Sequence, residues 1–187
     1  MIGIIFLVIL VLLVLWVIAK YNSLINLRNQ VKNGWKQIDV QLKRRHDLIP
    51  NLIETVKGYM QFEQDTLRQV IEARNAAVSA KGVAESAAKE GELTAALSRL
   101  FALVENYPNL KSNENVKQLQ EELTSTENKV SFARQFYNDI ATKFNIGQQV
   151  FPGNIIANMF KFQTAELFEI KAAEEREVPK VDLSLKK

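Results

Sequence analysis

Residues 2–42 read IGIIFLVILVLLVLWVIAKYNSLINLRNQVKNGWKQIDVQL, and this stretch decides both the location and the fold of the chain. Its first eighteen residues, 2–19, contain no charged side chain. As a helix they would be about 27 Å long, close to the roughly 30 Å hydrocarbon thickness of a bilayer. The sequence therefore predicts a transmembrane anchor over residues 1–20.

A cleaved secretory signal is the alternative interpretation of this apolar run. Such a signal needs a positively charged stretch, a shorter apolar stretch and small residues at the cleavage site. The run ends in VIAKYN without an A-x-A pattern, and no Lys or Arg precedes it. An uncleaved anchor is therefore favoured, with Trp16 and Tyr21 near the boundary between lipid and water, where aromatic rings are enriched.

The basic residues nearest the span all follow it. Because Lys and Arg near a span tend to stay in the cytoplasm, we expect the N-terminus outside and the rest of the chain inside. The reverse topology, with the bundle outside or in the periplasm, is the alternative. Three of these cations are also candidates for contacts with anionic lipid head groups: Lys20, Arg28 and Lys32.

Long helices are the natural prediction for the remaining chain, since 187 residues contain only seven glycines and four prolines. Apolar residues recur every three or four positions in segments 24–42, 49–77, 93–104 and 116–144. This spacing gives each helix one apolar side that needs a helical neighbour. We predict an all-α fold: a transmembrane helix continuous with an antiparallel bundle of about four helices, plus a short C-terminal helix. A parallel, self-associating coiled coil is the alternative.

Several expectations concern the breaks between helices. Pro50 is expected to kink or end the first helix, with Asp47 as the cap of a new one. Residues 79–91 lack an apolar stripe and are expected to form a loop or a frayed helical turn. Asn113 is expected to cap the helix that begins at the next residue. The bundle is expected to cover residues 21–172, followed by a loosely ordered tail over residues 173–187.

Two segments are candidate partner interfaces. Residues 43–47, KRRHD, either place cations at the negative end of a helix dipole or bind an acidic partner, with Arg44 and Arg45 as the candidate contacts. Segment 155–170 is more apolar than one face of a short helix needs. It caps the bundle, contacts a subunit or touches the membrane, and its candidate residues are Ile155, Ile156, Met159, Phe160, Phe162 and Phe168.

No residue pattern predicts catalysis, a cofactor or a metal site. The chain has no cysteine, which excludes disulfides and thiolate ligands. A di-iron bundle needs Glu-x-x-His pairs, but the single histidine, His46, follows Lys43 at that spacing. We interpret His46 as a solvated or hydrogen-bonded turn residue. Phosphate-binding glycine motifs are absent, and no interleaved aromatics in the basic run predict nucleic-acid binding.

Three stretches of the chain resemble the LemA family. They are residues 21–74, which begin YNSLINLRNQVKNGWKQIDVQLKRRHDLIPNL; residues 97–139, which begin LSRLFALVENYPNLKSNENV; and residues 144–162, FNIGQQVFPGNIIANMFKF. The resemblance implies a bacterial inner- or plasma-membrane protein with one N-terminal span and a long antiparallel helical bundle. It carries over no catalytic residue. A magnetosome-formation protein belongs to this family, which suggests an association with membrane shaping.

The functional prediction is a non-catalytic, membrane-anchored scaffold that self-associates at the membrane. Its expected partners are the lipid bilayer, other copies of the chain and an unidentified membrane or cytoplasmic protein. A membrane-remodelling or membrane-biogenesis oligomer is one alternative, and an accessory subunit of a membrane protease or signalling system is another.

Overall fold

The computed structural model describes residues 1–60 and 63–169, and helices are the regular elements in both ranges. This confirms the all-α prediction. The predicted tail, residues 173–187, lies outside the described residues. The helices are α1 (Ile2–Lys57), α2 (Gln64–Ser79), α3 (Gly82–Val104), α4 (Pro108–Lys111), α5 (Glu114–Gln149) and α6 (Gly153–Met159).

Helix α1 runs unbroken for 56 residues from the apolar span into the bundle. At about 1.5 Å per residue it is about 84 Å long. Its most apolar 18-residue window has a mean hydropathy of 3.4, and none of that window is buried against the rest of the described chain. The first part of α1 is thus long and apolar enough to cross a membrane, whereas buried positions begin at Leu24.

Helix α5 is the antiparallel partner of α1, and two hydrophobic cores lie along this pair. The distal core, far from the span, is enclosed by α1, α2, α3 and α5. The proximal core, near the span, lies between α1, α5 and the segment after α5. Distal core residues include Ile49, Leu52, Val56, Val70, Leu93, Leu100 and Val116. Proximal core residues include Leu24, Val31, Ile38, Val130, Tyr137, Phe144, Ile156 and Phe168.

The predicted restart of the helix at Pro50 is wrong, because α1 continues to Lys57. A proline has no N–H to donate to the carbonyl group four residues earlier, which here belongs to His46. Arg74 of α2 supplies the missing donor, since its Nε lies 2.8 Å from the carbonyl oxygen of His46. Asp47 therefore lies inside the helix rather than at a cap.

The predicted loop or frayed helical turn over residues 79–91 is also wrong, because α2 ends at Ser79 and α3 already begins at Gly82. The connection from α2 is short, and the backbone turns at Gly82 with a φ of 80°. Ala87 is fully buried, so the small side chains of this segment let α3 approach its neighbours closely. The predicted cap at Asn113 is confirmed, because its side-chain oxygen accepts from the backbone N–H groups of Asn115 and Val116.

Residues 160–169, which we call the strap, leave the helical path after α6 and run back along α5, away from the span. The predicted C-terminal helix is therefore limited to α6. Asn138 and Asn145 each donate to and accept from the strap backbone, at Phe168 and Ala165 respectively, over 2.8–3.1 Å. These bonds satisfy backbone groups that a helix would otherwise pair.

Candidate interaction surfaces and a buried ion cluster

Charged side chains are buried between the two cores. Arg45 and His46 of α1 and Glu90 of α3 are each at most 8% exposed. Arg45 Nη1 lies 2.9 Å from Glu90 Oε2, and His46 Nε2 lies 2.6 Å from Glu90 Oε1. Arg45 Nη2 donates to Thr94 Oγ1 at 2.8 Å and pairs with Glu127 Oε2 of α5 at 2.9 Å. We call these five residues the ion cluster.

The ion cluster joins α1, α3 and α5 at one level of the bundle. Both carboxylate oxygens of Glu90 have a partner, which is what a buried charge requires. In the described residues, three or more metal-ligating side chains do not gather into a group that could hold an ion. The arrangement is therefore suited to holding three helices in register.

This cluster corrects the expectations for the basic run. Helix α1 does not end near residue 47, so its dipole has no terminus there for these cations to stabilise. Arg45 faces the interior, and its acidic partners come from the same chain, so it presents no surface to another protein. His46 is hydrogen-bonded, but it lies within a helix rather than in a turn. Only Arg44 of the two candidate arginines is exposed.

The predicted membrane-interface residues lie where the span enters the bundle. The ring of Tyr21 is half-buried, with its centroid 4.6 Å from that of Phe160 and 6.0 Å from that of Phe162. The guanidinium of Arg28 lies 5.5 Å from the centre of the Phe162 ring. The remaining candidates are exposed on α1: Trp16, Lys20 and Lys32.

The apolar segment after residue 154 is divided between core and surface. Ile156 and Phe168 belong to the proximal core, and Phe162 packs against it, so these three candidates stabilise the fold rather than face a partner. Ile155, Met159 and Phe160 are about half exposed or more. Together with the two exposed residues that follow α5, they form what we call the basal surface: Val150, Phe151, Ile155, Met159 and Phe160.

A second apolar surface was missed by the sequence analysis. It lies on the side of the α1–α5 pair, where Val40, Phe132 and Phe136 are 62%, 72% and 48% exposed. We call it the flank surface. These three side chains line a shallow groove with a volume of about 580 Å³, together with Lys36, Gln37, Gln41, Lys129 and Ala133.

One signal in the sequence could have found the flank surface. Phe132 and Phe136 are four residues apart, so they share one side of α5. Phe132 directly precedes Ala133, and Phe136 directly precedes Tyr137. Ala133 and Tyr137 belong to the apolar stripe by which α5 packs into the proximal core. A pair of large aromatics beside a stripe that is already complete indicates an apolar surface in addition to the core.

Known proteins are similar in sequence to this chain over most of its length. A sequence model of the LemA family matches residues 34–183. Protein LemA of Metamycoplasma hominis is 26% identical over 170 residues, which cover 89% of this chain and 74% of that protein. Magnetosome protein MamQ 2 of Paramagnetospirillum magneticum is 25% identical over 182 residues, which cover 83% of this chain and 67% of that protein. Magnetosome protein MamQ of Magnetospirillum gryphiswaldense is 22% identical with the same coverage.

Proposed function

The chain belongs to the LemA family, and on that premise we propose that it is a non-catalytic, membrane-anchored scaffold that self-associates through the flank surface. In this proposal the bundle lies in the cytoplasm, because Lys20, Arg28 and Lys32 closely follow the span. The apolar first part of α1 supports the membrane location.

The observation that carries the proposal is the exposure of large apolar side chains on the flank surface. Phe132 is 72% exposed although the proximal core lies one residue away at Ala133. A cluster of exposed apolar side chains on the surface of a bundle is typical of a protein-binding surface. Phenylalanine is also among the residues enriched at the centres of interfaces.

A second copy of the chain is a suitable partner for the flank surface, because the flank surfaces of two copies in one membrane lie at the same height above the bilayer. Val40 lies 21 residues beyond Ala19 on the same unbroken helix, about 30 Å above the end of the span. Copies in one membrane share one orientation, so their flank surfaces lie at the same height and point sideways. A two-fold axis along the membrane normal would bring two flank surfaces together. Confinement to the membrane raises the effective concentration, so a small contact is sufficient.

Disulfide crosslinking tests this proposal directly, since the natural chain has no cysteine. Lys129→Cys, at the edge of the flank surface, is reconstituted as the full chain in lipid vesicles and oxidised. We expect a crosslinked dimer, and we expect its yield to fall at least about tenfold when Phe132 and Phe136 are both replaced by Gln, because the apolar contact is lost. Glu72→Cys, exposed on α2 away from the flank surface, is the matched control and should form no disulfide crosslink.

Two results would contradict self-association through this surface. One is equal crosslinking of the Lys129→Cys and Glu72→Cys chains, which would indicate random collision. The other is a dimer yield that the Phe132 and Phe136 replacements leave unchanged.

The relatives named magnetosome proteins favour a second candidate function, a membrane-remodelling or membrane-biogenesis oligomer. Imaging of the reconstituted vesicles separates the two candidates, because a scaffold should leave vesicle shape unchanged. Deformation that requires Phe132 and Phe136 would favour remodelling by an ordered oligomer. An accessory role in a protease or signalling system predicts instead that Lys129→Cys crosslinks in cells mainly to a different protein.

A further inference from the structure

We propose that the basal surface is inserted into the head-group region of the bilayer beside the span, so that the bundle meets the membrane at a second place. The partner of this surface is therefore lipid. This inference does not depend on self-association through the flank surface.

The height of the basal surface is the first argument. Val17 belongs to the apolar span, yet it is half-buried because it packs against the proximal core of the bundle. The ring of Phe160 packs at a tilt against that of Tyr21, which lies two residues beyond the end of the span at Ala19. Two residues of helix correspond to about 3 Å along the axis. The end of α6 therefore lies at the level where the span leaves the hydrocarbon.

The direction of α5 supports the same placement. A Cβ added to Gly147 would contact Leu24 at 3.4 Å, so this part of α5 lies beside the first buried residue of α1. Helix α5 is antiparallel to α1, and its last residues therefore continue towards the membrane. Val150 and Phe151 follow at that end, 52% and 78% exposed.

The chemistry of the basal surface is that of an interfacial membrane contact. Its five apolar side chains are each about half exposed or more. Short segments with exposed aromatic and aliphatic side chains bind at the boundary between head groups and acyl chains. Lys161 is exposed next to Phe160, where an ammonium group can remain among the head groups.

Charge favours lipid over a second copy of the chain at this surface. Residues 1–38 and 140–165, which build the membrane-proximal end, contain no Asp or Glu. Two such ends facing each other would bring like charges together, whereas an anionic leaflet attracts them. The cations of these two segments are Lys20, Arg28, Lys32, Lys36, Lys143 and Lys161.

A fluorescent probe on the basal surface tests the proposal. Met159→Cys in the full chain is labelled with the environment-sensitive dye NBD and reconstituted in vesicles of phosphatidylcholine and phosphatidylserine. We expect emission at shorter wavelength than in the control and several-fold quenching by lipids that carry a nitroxide near the head group. The matched control is Glu72→Cys, exposed on α2 outside both apolar surfaces, which should show neither effect.

The outcomes are distinguishable from one another. A Met159 probe that resembles the Glu72 probe would overturn the proposal. A shifted emission that disappears when the protein is diluted with excess lipid would also overturn it, because it would identify a second copy as the neighbour. If the Met159→Cys chain loses its helical circular dichroism, Phe151→Cys takes its place with the same expectations. Quenching at either position should persist when Phe132 and Phe136 are replaced by Gln.

Discussion

Arg44 and Arg45 are adjacent in the sequence, but only Arg45 enters the ion cluster. Replacing Arg45 by Met leaves the buried Glu90 carboxylate without its strongest partner, and we expect the free energy of unfolding to fall by about 3–5 kcal/mol. Arg44→Met should change it by no more than about 0.5 kcal/mol, because Arg44 is exposed. Denaturant unfolding of the full chain in detergent, followed by circular dichroism, measures both. Equal effects of the two replacements would contradict the assigned role of the cluster.

Tyr137 links stability to alkaline pH. Its hydroxyl donates to the carbonyl oxygen of Glu166 in the strap at 2.7 Å. Burial, with a smaller contribution from the Glu166 carboxylate, raises the pKa of Tyr137. As the pH rises, the unfolded chain therefore loses the Tyr137 proton before the folded chain does. The contribution of Tyr137 to the free energy of unfolding is constant below about pH 10 and decreases as the pH rises beyond that value.

The replacement Tyr137→Phe tests this assignment. We expect a loss of about 1 kcal/mol at neutral pH, because the hydrogen bond to the strap is missing. We also expect a shallower decrease in stability above about pH 10 than in the natural chain. Unfolding at a series of pH values measures both, and Tyr107, whose pKa is also raised, is present in both chains. Parallel pH profiles would show that Tyr137 does not cause the decrease.

Residue-level features were predictable from the sequence where their cause is local. Asn113 precedes an apolar stripe, and the N–H groups that it caps are two and three positions away. The burial of Arg45 has no local cause, because its carboxylate partner Glu90 is 45 positions away. The sequence alone does not show which charged residues that are far apart along the chain form an ion pair in the fold.

At the level of helices, Pro50 and Arg74 form a pair that can be tested by a double-mutant cycle. Arg74→Met leaves the carbonyl oxygen of His46 without a donor, and we expect a loss of about 1–3 kcal/mol. In a Pro50→Ala chain the restored backbone N–H can bond that oxygen, so the same replacement should cost less. Arg68→Met, exposed on α2, should cost little in either background. An identical cost of Arg74→Met in both backgrounds would contradict the coupling.

The apolar stripes predicted that the long helices exist, but not where each one ends. Residues 24–42 and 116–144 lie within α1 and α5 as expected, because both periodicities are long and regular. The end of α1 was placed too early, since the donor that lets the helix pass Pro50 comes from α2. The start of α3 was placed too late, because its small buried residues form no large apolar stripe.

For the whole molecule, the long apolar N-terminal helix and the all-α fold were predictable, whereas the exposed apolar surfaces were not. Phe132 and Phe136 resemble core residues in composition, and their exposure depends on where the strap and the α2–α3 pair pack. The density of apolar residues in segment 155–170 did indicate that this segment has more apolar side chains than the core can bury. It did not reveal that Ile156 is buried while Ile155 and Met159 remain exposed.

The unbroken path of α1 predicts a fixed distance between the distal end of the bundle and the bilayer. Lys57→Cys carries a donor dye, and head-group-labelled lipid carries the acceptor. Energy transfer should report a narrow distance distribution in the natural sequence. Insertion of Gly-Gly after Asn22 should broaden it, because glycine destabilises a helix interior by about 1 kcal/mol per residue.

Replacement of Asn22 and Ser23 by Ala is the control for this insertion, since alanine maintains the helix. That chain should keep the narrow distribution. If the insertion leaves the distribution unchanged as well, contacts other than the continuous helix must hold the bundle in place.

The continuity of α1 also has a rotational consequence. An α-helix turns by about 100° per residue, so the flank surface lies at a fixed angle, measured about the axis of α1, from each side of the span. One residue added between the span and the bundle part of α1 would change that angle by about 100°, whereas seven added residues would restore it to within about 20°. A membrane protein that binds one side of the span would therefore also determine the direction, in the plane of the membrane, that Val40, Phe132 and Phe136 face.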